Sequence, residues 1–235
     1  MYIEIDDLNI SYDIKGNGKT LVFLHGWGCD KSIWDSVIRT MKEDYKCVTI
    51  DLPGFGETKI NRPYFLDEVS NLLYKLLLAL KIKNPIIIAH SYGGRIAIKY
   101  ATMYKVNRLI LVDSAGIKHK KKKREGIYKF FKKFNIKLNM GSSDYKKASP
   151  NLKEMLVDAV NCDLTPILYK IKCPTLLIWG DNDKDVLYSD IKIMNENIND
   201  SGIVVIKNTG HFPFIDNYLY FIKVLYYFLE CDISD

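Results

Sequence analysis

Residues 85–104 read PIIIAHSYGGRIAIKYATMY. An apolar run comes before Ser91 and an amphipathic run follows it, so this stretch predicts a β-strand that turns directly into a helix. The residues two positions on either side of the serine, Ala89 and Gly93, are small. A tight turn that exposes a serine hydroxyl leaves room only for small neighbours, and alanine meets this requirement where glycine is more usual. The pattern therefore predicts a nucleophile elbow at Ser91.

A second short apolar run, residues 21–24, leads directly into His25, Gly26 and Trp27. A loop in this place brings the backbone N–H of Trp27 beside that of Tyr92, at the start of the helix after the elbow. Two buried donors directed at a developing oxyanion contribute roughly 3–4 kcal/mol each to the transition state. We expect Trp27 and Tyr92 to form an oxyanion hole, with His25 and Gly26 at the substrate. The His25 ring is better suited to holding its loop through a backbone hydrogen bond than to titrating during catalysis.

Polar side chains follow two later predicted strands. The apolar run at residues 175–179 comes before Asp181 and Asp183, and the run at residues 203–206 comes before His211. Of the four histidines in the chain, only His211 lies in the loop after the last predicted strand. The chain order serine, aspartate, histidine, each after a strand, is typical of α/β-hydrolases. It predicts that His211 is the general base.

These motifs, with DLPGFG at residues 51–56, resemble those of the α/β-hydrolase superfamily over nearly the whole chain. The resemblance implies an α/β-hydrolase fold, with a mostly parallel, eight-stranded sheet flanked by helices. It also implies that Ser91 is the nucleophile and that the triad acid lies three residues beyond the glycine after its strand, at Asp183. Asp181 would then cap the loop, as aspartate beside glycine often does. Superfamily members that carry the acid one strand earlier leave Asp113 as an alternative.

Within the superfamily, HGWG at residues 25–28 resembles the small carboxylesterases, including the pimeloyl-carrier-protein methyl ester esterases. This resemblance implies a serine hydrolase that cleaves a small or medium carboxylic ester or thioester through an acyl-enzyme on Ser91. Residues 91–95 are also similar to a lyase of the same fold, in which Arg95 would pair with a substrate carboxylate. Arg95 would otherwise face solvent or a carboxylate at the sheet edge. A lyase or C–C hydrolase is therefore one alternative, and a binding protein with a silent triad is another.

The composition is that of a single globular domain. The chain has 235 residues, of which 48% are hydrophobic and 26% are charged. Its most apolar stretch, residues 72–89, is interrupted by three lysines and a proline, which predicts a helix and a strand instead of a membrane span. No dinucleotide loop, Walker loop or zinc-type spacing is present, so we expect neither a cofactor nor a metal.

The N-terminus has no signal-peptide pattern, and the five cysteines are scattered and odd in number. This pattern predicts reduced thiols and a cytoplasmic location. Cys29, just after the predicted oxyanion loop, is either an oxidation-sensitive thiol or a buried small residue.

The region between residues 114 and 172 interrupts the alternation of strands and helices. In the superfamily a lid lies there, which implies one domain with a core of residues 1–113 and 173–235 and a short helical lid. Residues 118–147 hold twelve Lys and Arg against two acidic residues, a net charge of +10 in a chain whose total is +6.

This charge predicts attraction of an anionic partner, such as an acyl carrier or a membrane surface, although a solvated lysine-rich helix is the plainer interpretation. We do not expect nucleic acid to bind, because no recognition fold accompanies the run.

Overall fold

The computed structural model of the chain describes residues 1–118 and 149–230. In this part of the chain the sheet consists of β1 (Tyr2–Ile5), β2 (Leu8–Lys15), β3 (Thr20–Leu24), β4 (Lys46–Ile50), β5 (Ile86–His90), β6 (Arg108–Val112), β7 (Thr175–Gly180) and β8 (Ser201–Ile206). The α-helices are α1 (Asp35–Met41), α2 (Leu66–Ala79), α3 (Tyr92–Met103), α4 (Pro150–Asn161), α5 (Tyr188–Asn197), α6 (Pro213–Asp216) and α7 (Tyr218–Glu230).

The strands form one sheet in the order β1-β2-β4-β3-β5-β6-β7-β8. β2 is antiparallel to both of its neighbours, and every other pair is parallel. The predicted mostly parallel, eight-stranded sheet is confirmed. Because the carboxyl ends of parallel strands share one edge of a sheet, the loops after β3, β5, β6, β7 and β8 meet there.

Helices cover both faces of the sheet. Alternate side chains of β3 belong to two separate buried clusters: Val22 and Leu24 pack with residues of α2 and α3, whereas Leu21 and Phe23 pack with residues of α1 and α7. A strand buried on both faces has no polar face, which explains why these strands are continuous apolar runs in the sequence. Burial of each such side chain stabilises the fold by about 1.5–3 kcal/mol.

Most predicted elements agree with the structure to within one or two residues. Apolar spacing in the sequence predicts a strand at residues 108–112 and a helix at residues 65–80, and these are β6 and α2. The same spacing predicts a helix at residues 31–41, but this segment begins instead as a 3₁₀ turn, Lys31–Trp34, before α1. α5 was not predicted individually, because few of its residues are apolar.

The described residues of the predicted lid region are fastened to the core. α4 packs beside α2, where the Asp158 carboxylate accepts the Leu66 N–H at 2.9 Å. Lys118, near the start of the region, donates its Nζ–H to the carbonyl of Asn161, the last residue of α4, at 2.9 Å. The rest of the basic run, residues 119–147, lies outside the described residues, so a lid made by that run stays a prediction.

Among residues 1–118 and 149–230, none of the helices has both the length and the apolar character that a membrane span requires.

Candidate active site

Ser91 lies in the sharp turn between β5 and α3. Its φ of 51° and ψ of −109° are values that residues other than glycine rarely adopt. Backbone hydrogen bonds hold the turn: the Ser91 N–H donates to the Val112 carbonyl at 3.1 Å, and the Ser91 carbonyl accepts the Ala115 N–H at 3.1 Å. Strained backbone of this kind persists only where the surrounding structure imposes it, and it is typical of functional sites.

The loop after β3 lies directly against this turn. A Cβ on Gly26 would come within 2.7 Å of His90 Nδ1 and 3.2 Å of the Ser91 Cβ. A Cβ on Gly93 would come within 2.7 Å of the carbonyl oxygens of Leu24 and His25. Only glycine fits at both positions, and this close approach brings the loop to the nucleophile side of the turn.

A hydrogen-bonded chain joins the loops after β5, β7 and β8. His211 Nε2 is 3.0 Å from Ser91 Oγ, and His211 Nδ1 is 2.7 Å from Asp183 Oδ2. A carboxylate only accepts hydrogen bonds, so the Nδ1–H donates to Asp183 and Nε2 accepts the Ser91 hydroxyl proton. In this tautomer the imidazole is able to take a proton from the serine.

Backbone donors fix Asp183 in place. Its Oδ1 accepts the N–H groups of Asp185 at 2.7 Å and Val186 at 3.2 Å. Burial works in the opposite direction, but the hydrogen bond and the charge of His211, together with these N–H groups, hold the pKa of Asp183 below its usual value. Asp183 is therefore ionised at neutral pH.

The other two candidate acids lie elsewhere. Asp181 is exposed, and its Oδ1 accepts a hydrogen bond from the Asn182 side chain at 3.0 Å. Asp113 is fully buried after β6, and its Oδ1 accepts the Gly180 N–H at 3.0 Å. The structure thus brings Asp183, and not Asp181, to the His211 imidazole. Asp113 lies next to Asp183.

Tyr92 is the first residue of α3, so its N–H has no acceptor within the helix. The Trp27 ring packs edge-on against the rings of Phe55 and Tyr92, with centroids 4.9 and 5.1 Å away. His25 Nε2 accepts the Leu52 N–H at 3.0 Å, and its Nδ1–H donates to the Gly26 carbonyl at 2.8 Å. Burial lowers the pKa of His25, and both ring nitrogens are bound to backbone. This geometry favours the loop-holding role of His25 over contact with a substrate.

His90, the residue before the nucleophile, makes a contact that the sequence did not reveal. Its Nε2–H donates to the backbone carbonyl of His211 at 2.7 Å, and its ring packs against the rings of His211 and Phe212. Burial, followed by the charge of His211, lowers the pKa of His90 well below its usual value. The ring is therefore a neutral support beneath the loop that carries the base. A histidine directly before the elbow serine was the only signal for it.

Arg95 is buried and binds the chain after α4. Its Nη1 donates to the Cys162 carbonyl at 2.9 Å. The expectation that Arg95 faces solvent or a sheet-edge carboxylate is wrong, because the guanidinium is held by a backbone carbonyl. Cys29 is buried as well, and burial raises the pKa of its thiol to about 12, which favours the interpretation as a small packing residue.

Within the part of the chain that the structure describes, one group of potential metal ligands is compact: Asp113, Asp183 and His211 have ligand atoms within 4.8 Å of one another. His211 Nδ1 and Asp183 Oδ2 are already paired by a hydrogen bond. Two of the three groups are thus joined by a hydrogen bond of the catalytic-triad type. We assign no metal to this group.

Comparison with known proteins places this geometry in a family. The model of the alpha/beta hydrolase family matches residues 21–223. A pimeloyl-[acyl-carrier protein] methyl ester esterase of Wigglesworthia glossinidia brevipalpis is 29% identical, over 92% of this chain and 96% of its own length. A protein of the same name from Legionella pneumophila (strain Corby) is 28% identical, over 95% of this chain and 100% of its own length. The solved structure of a membrane phospholipase A superposes with a TM-score of 0.86 at 25% identity, covering 98% of this chain and 85% of that one.

Proposed function

The chain belongs to the alpha/beta hydrolase family and is a carboxylic ester hydrolase, and we propose that it works through an acyl-enzyme formed on Ser91. The observation that carries this proposal is the chain of hydrogen bonds from Asp183 through His211 to the Ser91 hydroxyl. Serine at the elbow supplies the nucleophile, the imidazole supplies the base, and the carboxylate holds the base in its reactive tautomer. A binding protein without catalytic activity would not require a nucleophile, a base and a carboxylate joined by hydrogen bonds.

In the acylation step, Ser91 Oγ forms a bond to the ester carbonyl carbon and gives its proton to His211 Nε2. The carbonyl π electrons move to oxygen, and the N–H groups of Trp27 and Tyr92 stabilise the resulting oxyanion. Asp183 stabilises the imidazolium through the Nδ1–H hydrogen bond. The bond to the leaving alcohol then breaks, and the alcohol takes the proton from His211 Nε2.

Deacylation repeats these events with water as the nucleophile. His211 Nε2 takes a proton from water as the water oxygen bonds to the acyl carbon. The second tetrahedral intermediate collapses, the Ser91 hydroxyl is restored by the proton from His211, and a carboxylic acid leaves. Each step uses only side chains, backbone N–H groups and water.

The proposed substrate is a small or medium ester with an apolar acyl chain. The half-buried Trp27, with Phe55 and Tyr92, forms an aromatic cluster beside the proposed oxyanion hole. Such rings are suited to packing against an acyl chain. The lyase alternative depended on Arg95 meeting a substrate carboxylate, and the bond of Arg95 to the Cys162 carbonyl does not favour it.

We further propose that the natural ester is presented by an anionic acyl carrier. Two relatives carry the name pimeloyl-[acyl-carrier protein] methyl ester esterase, and residues 118–147 of this chain have a net charge of +10. Charge of one sign in one segment attracts an oppositely charged partner and speeds its association.

We also propose a cytoplasmic location, which the four free thiols of the described residues support.

The first test is hydrolysis of p-nitrophenyl esters from acetate to laurate by wild type and by Ser91→Ala. We expect turnover in the wild type with an optimum at short or medium chains, and loss of turnover in the variant. Ester turnover that survives in Ser91→Ala would overturn the acyl-enzyme proposal. Ser114→Ala, at a buried serine outside the hydrogen-bonded chain, is the matched control.

The carrier proposal is tested by salt. The kcat/KM for a methyl ester on an acyl carrier protein should fall steeply from low ionic strength to about 0.15 M, while that for p-nitrophenyl acetate stays nearly constant. Replacing Lys120, Lys121, Lys122 and Lys123 by Gln lowers the net charge of residues 118–147 from +10 to +6 and should reduce this difference. Equal salt responses of the two substrates would contradict recruitment of an anionic carrier.

A further inference from the structure

Asp113 is a buried carboxyl group that the proposed mechanism does not use. It is 0% exposed, and a carboxylate oxygen of Asp113 lies within 4.8 Å of ligand atoms of both Asp183 and His211. Its Oδ1 accepts the Gly180 N–H, but its Oδ2 is buried without a hydrogen-bond partner when both aspartates are ionised. An unpaired carboxylate oxygen is strongly destabilising in such a place, and a proton on it would convert it into a donor.

The ionisable groups that face Asp113 are mostly acidic. Asp183 follows β7, Asp216 lies in α6, and His211 follows β8. In the described residues, no Lys or Arg forms an ion pair with Asp113. Two adjacent buried carboxyl groups do not both ionise, because each charge raises the pKa of the other group. The pair therefore shares one proton and carries one negative charge.

The number of donors decides which aspartate keeps the proton. Asp183 accepts three hydrogen bonds, from His211 Nδ1 and from the N–H groups of Asp185 and Val186. Asp113 accepts one, from Gly180. Donors stabilise the charged form, so the negative charge resides on Asp183. Burial, followed by the charge of Asp183, raises the pKa of Asp113 well above its usual value, in agreement with this assignment.

The backbone holds Asp113 in this position. Its φ is 41°, in the left-handed region that Asp and Asn tolerate better than other residues with a side chain. The Asp113 N–H donates to the Ile178 carbonyl at 2.9 Å, which ties the turn after β6 to β7. The side chain is thus presented to Asp183 by the same strand pairing that aligns the two loops.

We propose, on the basis of the proposed triad, that Asp113 is a positioning residue that stays protonated in the working enzyme and donates its Oδ2–H to the Asp183 carboxylate. The donated hydrogen bond orients Asp183 toward His211 and withdraws part of its negative charge. The proton stays on Asp113 throughout the reaction, and no atom of Asp113 touches the substrate. A second ionised carboxylate here would leave its buried Oδ2 without a donor.

Asp113→Asn is the sharpest variant, because asparagine fits the left-handed turn, accepts the Gly180 N–H and donates an N–H to Asp183. Infrared spectra at about pH 8, where surface carboxyl groups are ionised, detect a protonated carboxyl group directly. The measurement does not depend on ester hydrolysis. We expect the wild type to show the carbonyl stretch of a protonated carboxylic acid, and Asp113→Asn to lack it. Asp51→Asn, at an equally buried aspartate that is ion-paired with Lys31, should keep the band. No such band in the wild type, or an equal band in Asp113→Asn, would overturn the proposal.

The pH profile of kcat/KM supplies a second measurement. Asp113→Ala should lower kcat/KM about tenfold and move the acidic limb to higher pH, because the Asp183 charge is no longer shared. Asp113→Asn should return both values close to those of the wild type. If Asp113 were ionised, Asp113→Asn would instead move the acidic limb to lower pH, and a purely structural role would leave the limb of both variants unmoved. An enzyme without ester turnover would contradict the proposed function, whereas the infrared result would still decide the state of Asp113.

Discussion

Two buried aspartates at the ends of parallel strands differ in what surrounds them. Asp51, after β4, is 1% exposed, and it accepts the Lys31 N–H at 2.8 Å and the Lys31 ammonium at 2.9 Å. Asp113, after β6, is 0% exposed, and its carboxyl lies within 4.8 Å of ligand atoms of Asp183 and His211, with the charge of Asp183 adding to burial in raising its pKa. The two aspartates share their residue type, their place at the end of a strand and their burial. The neighbouring charged group, Lys31 or Asp183, is what differs between them.

The difference separates two kinds of strand end. The end of β4 has a structural role, whereas the ends of β6 and β7 belong to the proposed catalytic site. At the β4 end, burial opposes the charge of Lys31, but its hydrogen bonds with Glu57 and Asp51 raise the pKa of its ammonium, so Lys31 stays charged beside Asp51 at every physiological pH. At the β6 and β7 ends, no Lys or Arg of residues 1–118 and 149–230 forms an ion pair with the negative charge that Asp113 and Asp183 share, and His211 is the group that would pair with it when protonated. Two carboxyl groups that share one proton hold a loop less firmly than an ion pair does, but they are suited to tuning the base that one of them contacts.

The largest expected effect is at the β7 end. Asp183→Asn should reduce kcat by about 10⁴-fold, because the amide favours the wrong imidazole tautomer. Steady-state kinetics on a p-nitrophenyl ester measure the loss. Asp181→Asn, two residues earlier and exposed, is the matched control and should retain turnover close to that of the wild type. Equal losses in the two variants would remove Asp183 from the triad.

The next effect is at the β4 end and concerns stability. Asp51→Ala should lower the free energy of unfolding by about 3 kcal/mol, the lower end of the range for a broken buried ion pair, because the Lys31 side chain is partly exposed. Urea unfolding measures the change. The kcat of the folded variant should stay near the wild-type value. A kcat loss as large as that of Asp183→Asn would break the distinction between the two ends.

The smallest effect is the change in stability over a single pH unit. The pKa of Asp113 is raised on folding, so the native state binds more protons than the unfolded chain above the unfolded pKa of about 3.9. This group therefore reduces the free energy of unfolding by up to about 1.4 kcal/mol for each pH unit gained, until the pH passes the folded pKa.

Asp113→Asn lacks this titration, so its stability relative to the wild type should rise as the pH increases from about 5 to 8. Urea unfolding of both proteins across this range measures the difference. A stability difference that stays constant over this range would mean that Asp113 is ionised like Asp51, because neither the folded nor the unfolded state would then bind a proton at this position.

Local pattern was enough to predict much of this site. The elbow at Ser91, the strands around it and the loops that carry Asp183 and His211 follow from apolar runs and from the residues directly after them. Strand ends of a parallel sheet share one edge, so residues far apart in the chain were expected to meet.

The remaining contacts depend on strand order and on side-chain torsions, which no local pattern contains. Asp113 meets Asp183 because β6 and β7 are neighbours, and His90 reaches the His211 carbonyl across the end of the sheet. Arg95 was expected at a carboxylate or in solvent, and a carbonyl after α4 holds it instead. The charge of residues 119–147 is readable in the sequence, whereas its place lies outside the described residues.

The most direct test of the central claim is covalent labelling. A fluorophosphonate should react with one site per molecule, and mass spectrometry of the digested protein should place the adduct on Ser91. Labelling should vanish in Ser91→Ala and slow strongly in His211→Ala, because the hydroxyl then has no base. An adduct on another residue, or undiminished labelling of Ser91→Ala, would contradict the account.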